Sequence, residues 1–265
     1  MQNLYPLFGQ NRILKKELLW SLRDISFAQL QLRYQDYGQG LLQGCDIRVC
    51  GDELAVRPGL IKYGSFIFLL EEEERVPYGP KGEVQYLRLR IWEDRSSPDY
   101  VAYRAGIALE TGEADVGKGT AFELCRFFLR EGAQLRDRYT GFADMETAYD
   151  TVDLTHADWG GLGGRSVAPA VTRYLAELIL ESGDSRSEDC AFAYLCLSCP
   201  GAVPVTALQA YIRRRTGVQA AIPAETQGEG ILSCYQALRA IAERFSYSGR
   251  EMGRDKKEKR RIIID

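Results

Sequence analysis

The sequence predicts an α+β fold, with an antiparallel β-rich domain at the N-terminus and a helical bundle domain at the C-terminus. In residues 37–74, apolar and polar residues alternate in short runs separated by Gly and Pro, as in antiparallel hairpins. From Pro169 onward, apolar residues recur every three or four positions, as in amphipathic helices. This change of period predicts five segments: 1–36, an N-terminal helix and lead-in strand; 37–150, the β-rich domain; 151–168, a Gly-rich hinge; 169–248, the helical domain; and 249–265, a basic and apolar tail.

Composition narrows the classes of function. With 45% hydrophobic and 27% charged residues over 265 positions, the chain can bury a sizeable core, as soluble globular proteins do. The net charge of -3 predicts no general attraction to nucleic acid or to anionic membranes. No apolar run is long enough to span a bilayer, and the first 20 residues lack the layout of a signal peptide. We therefore expect a cytoplasmically made protein with no membrane partner.

The N-terminal segment begins with an expected helix. Residues 13–23 (ILKKELLWSLR) carry apolar side chains at helical spacing. Two uses of this helix stay open, docking on a partner protein and packing on the protein's own sheet. In residues 24–33, Ile25 and Phe27 alternate with polar residues, and Leu30 and Leu32 do the same. This second pattern predicts a strand that leads into the sheet.

Four short strands are predicted in the hairpin region, at residues 46–49, 54–56, 60–63 and 66–70. Turns are predicted between them at Gly51 and Asp52, at Pro58 and Gly59, and at Gly64 and Ser65. The acidic run at 71–74 follows. Consecutive carboxylates on a strand point to opposite faces, so this run predicts a solvated loop rather than a metal site.

Two longer strands are predicted next. Residues 85–92 (QYLRLRIW) alternate strictly. The buried face would hold Leu87, Leu89 and Ile91, and the face in water would hold Tyr86, Arg88 and Arg90. Residues 100–109 (YVAYRAGIAL) predict a further strand of the same domain.

Residues 112–120 (GEADVGKGT) match the front of the phosphate-binding loop, G-x-x-x-x-G-K. The usual Ser or Thr after the lysine is Gly119 here, although some nucleoside monophosphate kinases carry G-K-G-T. The chain lacks a downstream apolar strand ending in Asp, and its antiparallel pattern differs from the parallel sheet around such loops. We predict a Gly-rich turn and keep a P-loop NTPase or kinase as the alternative. In that alternative the nucleotide-binding residues are Gly112, Gly117, Lys118 and Thr120.

Residues 123–135 (ELCRFFLREGAQL) are ambiguous from their periodicity. As a helix, the segment has one fair apolar face, and as a strand its arginines and aromatic residues alternate with apolar ones. Both structures stay open on the residues alone.

Three other groups of residues could carry chemistry, but each has a simpler interpretation. His156, the only histidine, lies in a loop with Asp153 and Asp158, where acid–base work is an alternative to polar surface. Cys196 and Cys199 form a C-x-x-C, yet no second pair follows, and structural zinc requires four ligands. We predict no catalytic residue, no cofactor and no metal site. The glycines at 160–164 predict a flexible hinge.

The C-terminal domain is predicted to contain four helices. Ser166 is the expected N-cap of the first, which begins near Pro169. Residues 187–199 are almost entirely apolar and predict a buried central helix. Residues 205–215 end in the basic cluster Arg213 to Arg215, and Gly217 stops that helix. Residues 231–245 form the fourth.

The tail, residues 250–265 (REMGRDKKEKRRIIID), is basic and then apolar. Three interpretations stay open. The tail could contact nucleic acid together with Arg213 to Arg215, it could dock on a neighbouring subunit, or it could be disordered. A nucleic-acid-binding module is therefore a second alternative function.

Two segments resemble the β-rich part of phage tail and baseplate proteins, including those of contractile phage-tail-like particles. Residues 44–70 (GCDIRVCGDELAVRPGLIKYGSFIFLL) are similar to their strand, turn, strand, Pro-Gly and strand pattern. Residues 123–135 are similar to the strand with an interior arginine that follows in those proteins, which favours a strand there.

The resemblance implies a structural subunit of a tail baseplate, including a role as an adaptor to a receptor-binding fibre. It implies no catalytic residues. The implied partners are other baseplate or tail subunits and copies of this chain. The implied location is the bacterial cytoplasm during synthesis, followed by assembly into a virion or a phage-tail-like particle.

Overall fold

The computed structural model describes residues 15–112, 120–217 and 229–258, with side chains described for residues 231–245 of the last range. In chain order the elements are α1 (Lys16–Tyr34), β1 (Gly40–Gly44), β2 (Ile47–Cys50), β3 (Glu53–Val56), β4 (Gly59–Tyr63), β5 (Phe66–Leu70), β6 (Glu74–Pro77), β7 (Gln85–Asp94), β8 (Ala102–Thr111), β9 (Thr120–Phe127), α2 (Phe142–Met145), β10 (Trp159–Gly161), β11 (Gly164–Ser166), α3 (Pro169–Glu181), α4 (Ser187–Ser198), α5 (Val205–Thr216) and α6 (Glu229–Glu258).

The first helix is longer than predicted. α1 runs without a break for 19 residues and includes residues 24–33, so the predicted lead-in strand is wrong. The apolar residues at 25, 27, 30 and 32 fit a strand, but they also fit a helix that is apolar on several sides. No Gly or Pro interrupts the helix between residues 16 and 34.

The predicted strands between residues 46 and 70 are confirmed as β2 to β5. Gly51 and Asp52 close the hairpin of β2 with β3, and Gly64 and Ser65 close that of β4 with β5. Pro58 and Gly59 do not close a hairpin, contrary to the prediction. Instead, β3 pairs with β2 and β6, whereas β4 joins a five-stranded sheet of order β11-β10-β1-β4-β5. The chain changes sheets at this turn.

The sheet of order β8-β7-β9 contains the two longest strands among the described residues. Its predicted buried face is confirmed, because Leu87, Leu89 and Ile91 are at most 1% exposed. The opposite face is not in water as predicted, since Arg88 is only 6% exposed. Glu110 on β8 accounts for this burial, because its carboxylate pairs with both Arg88 and Arg90 at 2.8 Å.

The predicted hinge, residues 151–168, contains two short paired strands. β10 pairs with β1 in parallel, with Leu41 opposite Trp159, and pairs antiparallel with β11. Gly160 is buried there, and a Cβ on it would overlap the carbonyl oxygen of Gly38. The glycines therefore permit a close approach of two backbone segments, which in sequence has the same signature as flexibility.

The four predicted C-terminal helices are present as α3 to α6. α3 packs against α4 and α6, and α5 packs against α6. The predicted cap is wrong. Ala168 occupies the N-cap of α3, while Ser166 lies in β11 and donates a hydrogen bond to the Val203 carbonyl at 2.7 Å. α5 ends as predicted, with Gly217 in the left-handed conformation at φ 75°. α6 continues through residue 258, into the predicted tail.

α4 is not the buried helix that its composition predicts. Phe192, Ala193 and Cys196 face the core, but Tyr194 is 63% exposed and Leu197 is 45% exposed. α3 and α5 cover only part of its circumference, so an apolar stripe remains on its outer side.

One apolar core extends through both halves of the described chain. It includes Leu41 and Leu89 from the sheets as well as Leu175, Leu208 and Leu238 from the helices. Burial of this apolar surface is the main stabilising contribution to the fold. None of the helices in the described ranges is both long and apolar enough to cross a membrane.

Candidate assembly surface

The most unusual surface belongs to α1. Of its 19 residues, only Tyr34, at the last position, is buried. Leu32 is 66% exposed and Leu19 48% exposed, and four further large apolar side chains are also exposed. Large apolar side chains normally leave water when a partner surface is available. The exposed set is Leu19, Trp20, Leu22, Phe27, Leu30 and Leu32.

The exposed residues cover more than half of the circumference of α1. At about 100° per residue, five of them fall within an arc of about 160°, and Leu32 lies about 80° outside this arc. In order around the helix the five are Leu22, Leu19, Leu30, Phe27 and Trp20. A single flat surface could not cover the whole set.

Lys62 on β4 anchors the C-terminal end of α1. Its ammonium group donates to the carbonyl oxygens of Tyr34 and Gln35 at 2.8 Å and to that of Tyr37 at 2.6 Å. The side chain is only 7% exposed. A cation is favoured at this end of a helix, where carbonyl groups lack partners. Burial lowers the pKa of Lys62, and the nearby Asp36 acts in the opposite direction.

Two further contacts fix the base of the helix. Tyr34 packs in a small apolar cluster with Leu42 and Ile67. Phe27 approaches Phe66 at the start of β5, with the ring centroids 6.2 Å apart. Phe66 in turn stacks on Tyr103 of β8 at 3.7 Å. α1 is therefore held at one end, while its N-terminal half projects with its apolar side chains in solvent.

The phosphate-binding loop of the first alternative lies largely outside the described residues, since 113–119 are not described. Its flanks are described. Thr111 is opposite Gln85 on β7, whereas Thr120 is opposite Ile91, which is about 20 Å further along that strand. Thr120 opens strand β9, which is antiparallel to β7. A P-loop has instead a helix that begins at this point and presents its N-terminus to the phosphate.

His156 and Asp153 lie close enough to interact electrostatically, while Asp158 makes other contacts. Asp153 accepts bonds from the Thr155 amide and hydroxyl at 2.8 and 2.6 Å. Asp158 pairs with Arg165 and accepts a bond from the Glu123 amide at 2.7 Å. Burial lowers the pKa of His156 and raises that of Asp153. Both carboxylates hold local backbone in place.

The two cysteines of the C-x-x-C differ in burial. Cys196 lies in α4 and is 1% exposed, and burial raises the pKa of its thiol to about 12. Burial also raises the pKa of Cys199. Metal binding and redox chemistry use the thiolate, which these environments disfavour. In the part of the chain that the structure describes, no three His, Cys, Asp or Glu side chains converge on a possible metal position.

The basic cluster of the second alternative is partly used within the fold. Arg214 pairs with Glu188. Arg215 pairs with the fully buried Asp189 at 3.1 Å. Only Arg213 of the three points its charge to solvent without an ion pair to a described residue. The cluster therefore lacks the row of available cations that phosphate contacts require.

No protein-family model matches the sequence, and no curated protein matches it. Two solved structures contain chains that superpose loosely on this fold. One belongs to the TssK-TssF-TssG baseplate subcomplex of the type VI secretion system, with a TM-score of 0.46 and 10% identity over 91% of this chain and 100% of that chain. Another belongs to the baseplate complex from the type VI secretion system, with a TM-score of 0.43 and 9% identity over 91% of this chain and 70% of that chain. At this distance no residue's role is transferred.

The sequence contains a signal for the full length of α1, which the predicted division into a helix and a lead-in strand missed. Residues 16–34 contain no helix breaker, and their apolar positions occupy several sides of a helix. Lys62 could not be recognised in sequence, because a single lysine in a strand carries no sign of the three carbonyl groups that it contacts.

Proposed function

We propose that the protein is a structural subunit of a phage tail or phage-tail-like baseplate, and that it acts by protein–protein assembly. In the finer form of the proposal, it is an adaptor between the baseplate and a receptor-binding fibre. It is made in the bacterial cytoplasm, assembles with other baseplate subunits and with copies of itself, and functions within the particle. The baseplate class comes from the sequence resemblance, and the surface of α1 supplies the physical reason for assembly.

The observation that carries the proposal is the combination of apolar exposure and firm anchoring in α1. Six large apolar side chains of one helix are 37–66% exposed, over more than half of its circumference. Fully burying an exposed Leu or Phe side chain stabilises a complex by about 1.5–3 kcal/mol, and these partly exposed side chains contribute less. Since a flat surface cannot cover the whole set, the partner must supply at least two surfaces, as when α1 inserts between helices of neighbouring subunits.

The anchoring by Lys62 supports docking rather than simple looseness. A segment without function could detach at little cost, but here three carbonyl groups bind one buried ammonium group. The direction of α1 relative to the sheet is thereby set before assembly. Preorganisation of this kind lowers the entropic cost of binding.

The proposal is tested by sedimentation of the tagged protein from the cell that naturally makes it. We expect the wild-type chain to sediment with particles that contain tail-tube or sheath components. The variant Leu19→Gln, Trp20→Gln, Leu30→Gln should remain in the supernatant, because polar side chains replace three of the five residues in the apolar arc of α1.

The matched control replaces exposed polar residues on the same helix, Gln29→Ala and Gln31→Ala, and should sediment as the wild type does. Both variants should unfold in urea within about 0.5 kcal/mol of the wild type, since all the substituted side chains are exposed. A wild-type chain that is always a free monomer in its natural cell would contradict the proposal.

A further inference from the structure

A second exposed apolar patch lies mainly on α4, a helix that, unlike α1, packs against the core. On α4, Tyr194 is 63% exposed and Leu197 is 45% exposed, and Cys190 is half-buried. On α3, Leu180 is 38% exposed. We call these four residues the α4 patch. The patch is separate from α1 in sequence and contributes nothing to the base of that helix.

Helical geometry places the four residues together. The thiol of Cys196 interacts with the Thr172 hydroxyl, which orients this side of α4 toward α3. Arg173 of α3 donates to the carbonyl oxygens of Cys199 and Pro200, each at 3.3 Å, so the two helices run antiparallel. At about 100° per residue, Cys190, Tyr194 and Leu197 lie within about 60° of one another on the outer side of α4. In the antiparallel pair, Leu180 lies at the level of Cys190.

Two exposed carboxylates follow the patch around α3. Glu177 lies one helical turn from both Leu180 and Glu181, so it adjoins the patch, and Glu181 lies next to Glu177 further around the helix. Among the residues that the structure describes, no cation pairs with either of them. An apolar surface with unpaired carboxylates at its border fits a ligand that combines basic and apolar side chains.

We propose that the α4 patch receives the segment 259–265 (KRRIIID) of a second copy of this chain. The proposal rests on the assembly role proposed above and names one contact by which two copies meet. Lys259, Arg260 and Arg261 match the carboxylates of Glu177 and Glu181. Residues 262–264 are three consecutive isoleucines and match the apolar side chains of the patch. Charge and hydrophobicity are thus complementary within one short segment.

The course of α6 favours a second copy over the same copy. Phe245 is buried in α6, and the helix continues to residue 258. Thirteen further residues at 1.5 Å each extend the helix by about 20 Å along its axis. This length of helix is sufficient for the segment that follows it to reach a neighbouring copy.

The test is sedimentation equilibrium of the purified full chain over a range of concentrations. All proteins carry the Leu19→Gln, Trp20→Gln, Leu30→Gln substitutions, so that contacts through α1 do not contribute. The mass should rise above 29.8 kDa with concentration. Deleting residues 259–265, or replacing Tyr194→Ser and Leu197→Ser, should weaken this association about tenfold or more.

Charge reversal gives the sharper comparison. Glu177→Lys with Glu181→Lys should weaken association about tenfold, and Arg260→Glu with Arg261→Glu should do the same. The two pairs of reversals together should restore it to within about threefold of the parent, because opposite charges again face each other. Urea unfolding midpoints of all the variants should agree, which shows that the fold is intact.

Three results would overturn the proposal: a monomer at every concentration, equal association after deletion of 259–265, or additive weakening in the combined reversal. A label on residue 263 that is protected to the same extent in a dilute monomer would place the segment on its own copy and would overturn it too. None of these results bears on α1, since its surface is removed in every protein compared.

Discussion

Lys62 shows how a single buried charge can determine the direction of a helix. Its ammonium group has three N–H donors, and each donor has a carbonyl partner at the end of α1. The desolvation cost of burying the charge is offset by these bonds and by the helix dipole. A side chain at position 62 that is shorter than lysine or uncharged could not make these three hydrogen bonds.

Lys62→Met should therefore lower the free energy of unfolding by about 2 kcal/mol, because three carbonyl groups lose their donor and at least one is then left in apolar surroundings. Hydrogen exchange at residues 30–37 should accelerate as the end of α1 frays. The matched control is Lys81→Met, which replaces an exposed lysine and should leave both quantities unchanged. Equal behaviour of the two variants would show that Lys62 does not hold α1.

The histidine at position 156 should make the stability of the protein depend on pH. Burial, and next the charge of Arg126, lower its pKa below the ordinary value of 6.5. The unfolded chain then binds the proton more readily than the folded chain, so stability falls as pH drops below about 6.5. The slope can reach at most about 1.4 kcal/mol per pH unit. Asp153, whose pKa is raised by burial, acts in the opposite sense and nearer the ordinary range of aspartate.

The measurement is urea unfolding of the wild type and of His156→Asn at pH 7.5, 6.5 and 5.5. Because the chain has a single histidine, the difference between the two proteins should diminish as pH falls across this window. Parallel stability curves would mean that His156 keeps an ordinary pKa in the folded state.

At the scale of elements, the sheet of β7, β8 and β9 derives part of its stability from one carboxylate. Glu110 pairs with Arg88 at 2.8 Å and with Arg90 at 2.8 Å, and the Arg88 side chain is 7% exposed. The hydrogen bond from Arg90 is the largest of the causes that lower the pKa of Glu110. The guanidinium group of Arg88 also lies over the Tyr86 ring at 4.5 Å.

Glu110→Gln should cost about 2–3 kcal/mol, because it leaves the buried charge of Arg88 without its counter-charge. The stabilisation from Glu110 is complete above pH 4.5 and is lost as pH falls through its lowered pKa, so the difference from wild type should shrink in acid. Chemical unfolding at pH 7 and pH 3 checks both statements. A smaller loss is expected for Glu93→Gln, since its partner Arg95 is 72% exposed.

Element types followed from the period of the apolar residues wherever one face met the core. Leu87, Leu89 and Ile91 predicted β7, and the apolar stripe from Tyr235 to Phe245 predicted most of α6. The period did not predict β1, β10 or β11, because glycine-rich strands have few side chains to alternate. Their pairing depends on backbone contacts between residues far apart in sequence.

At the scale of the whole molecule, the helices and the β-region share contacts that a two-domain division does not predict. The Tyr235 hydroxyl on α6 donates to the Phe142 carbonyl, and Arg239 pairs with Glu146. The apolar core is continuous across the same region.

The candidate surface could be predicted only in part from the sequence. For the N-terminal helix, the sequence left two roles open, docking on a partner protein and packing on the protein's own sheet. To choose between them one must know whether a sheet face covers the helix, and that depends on the tertiary structure. The α4 patch could not be predicted, because an apolar sequence such as SEDCAFAYLCLS is equally typical of a fully buried helix.

The central claim is that α1 is enclosed by other subunits in an assembled particle. Its most direct measurement is the alkylation rate of a cysteine at position 19, introduced as Leu19→Cys and followed site by site by mass spectrometry. In the purified protein the rate should match that of the exposed Cys50, and in isolated particles it should fall at least about tenfold while the fold stays intact. Equal alkylation of position 19 in the free protein and in the particle would contradict the account.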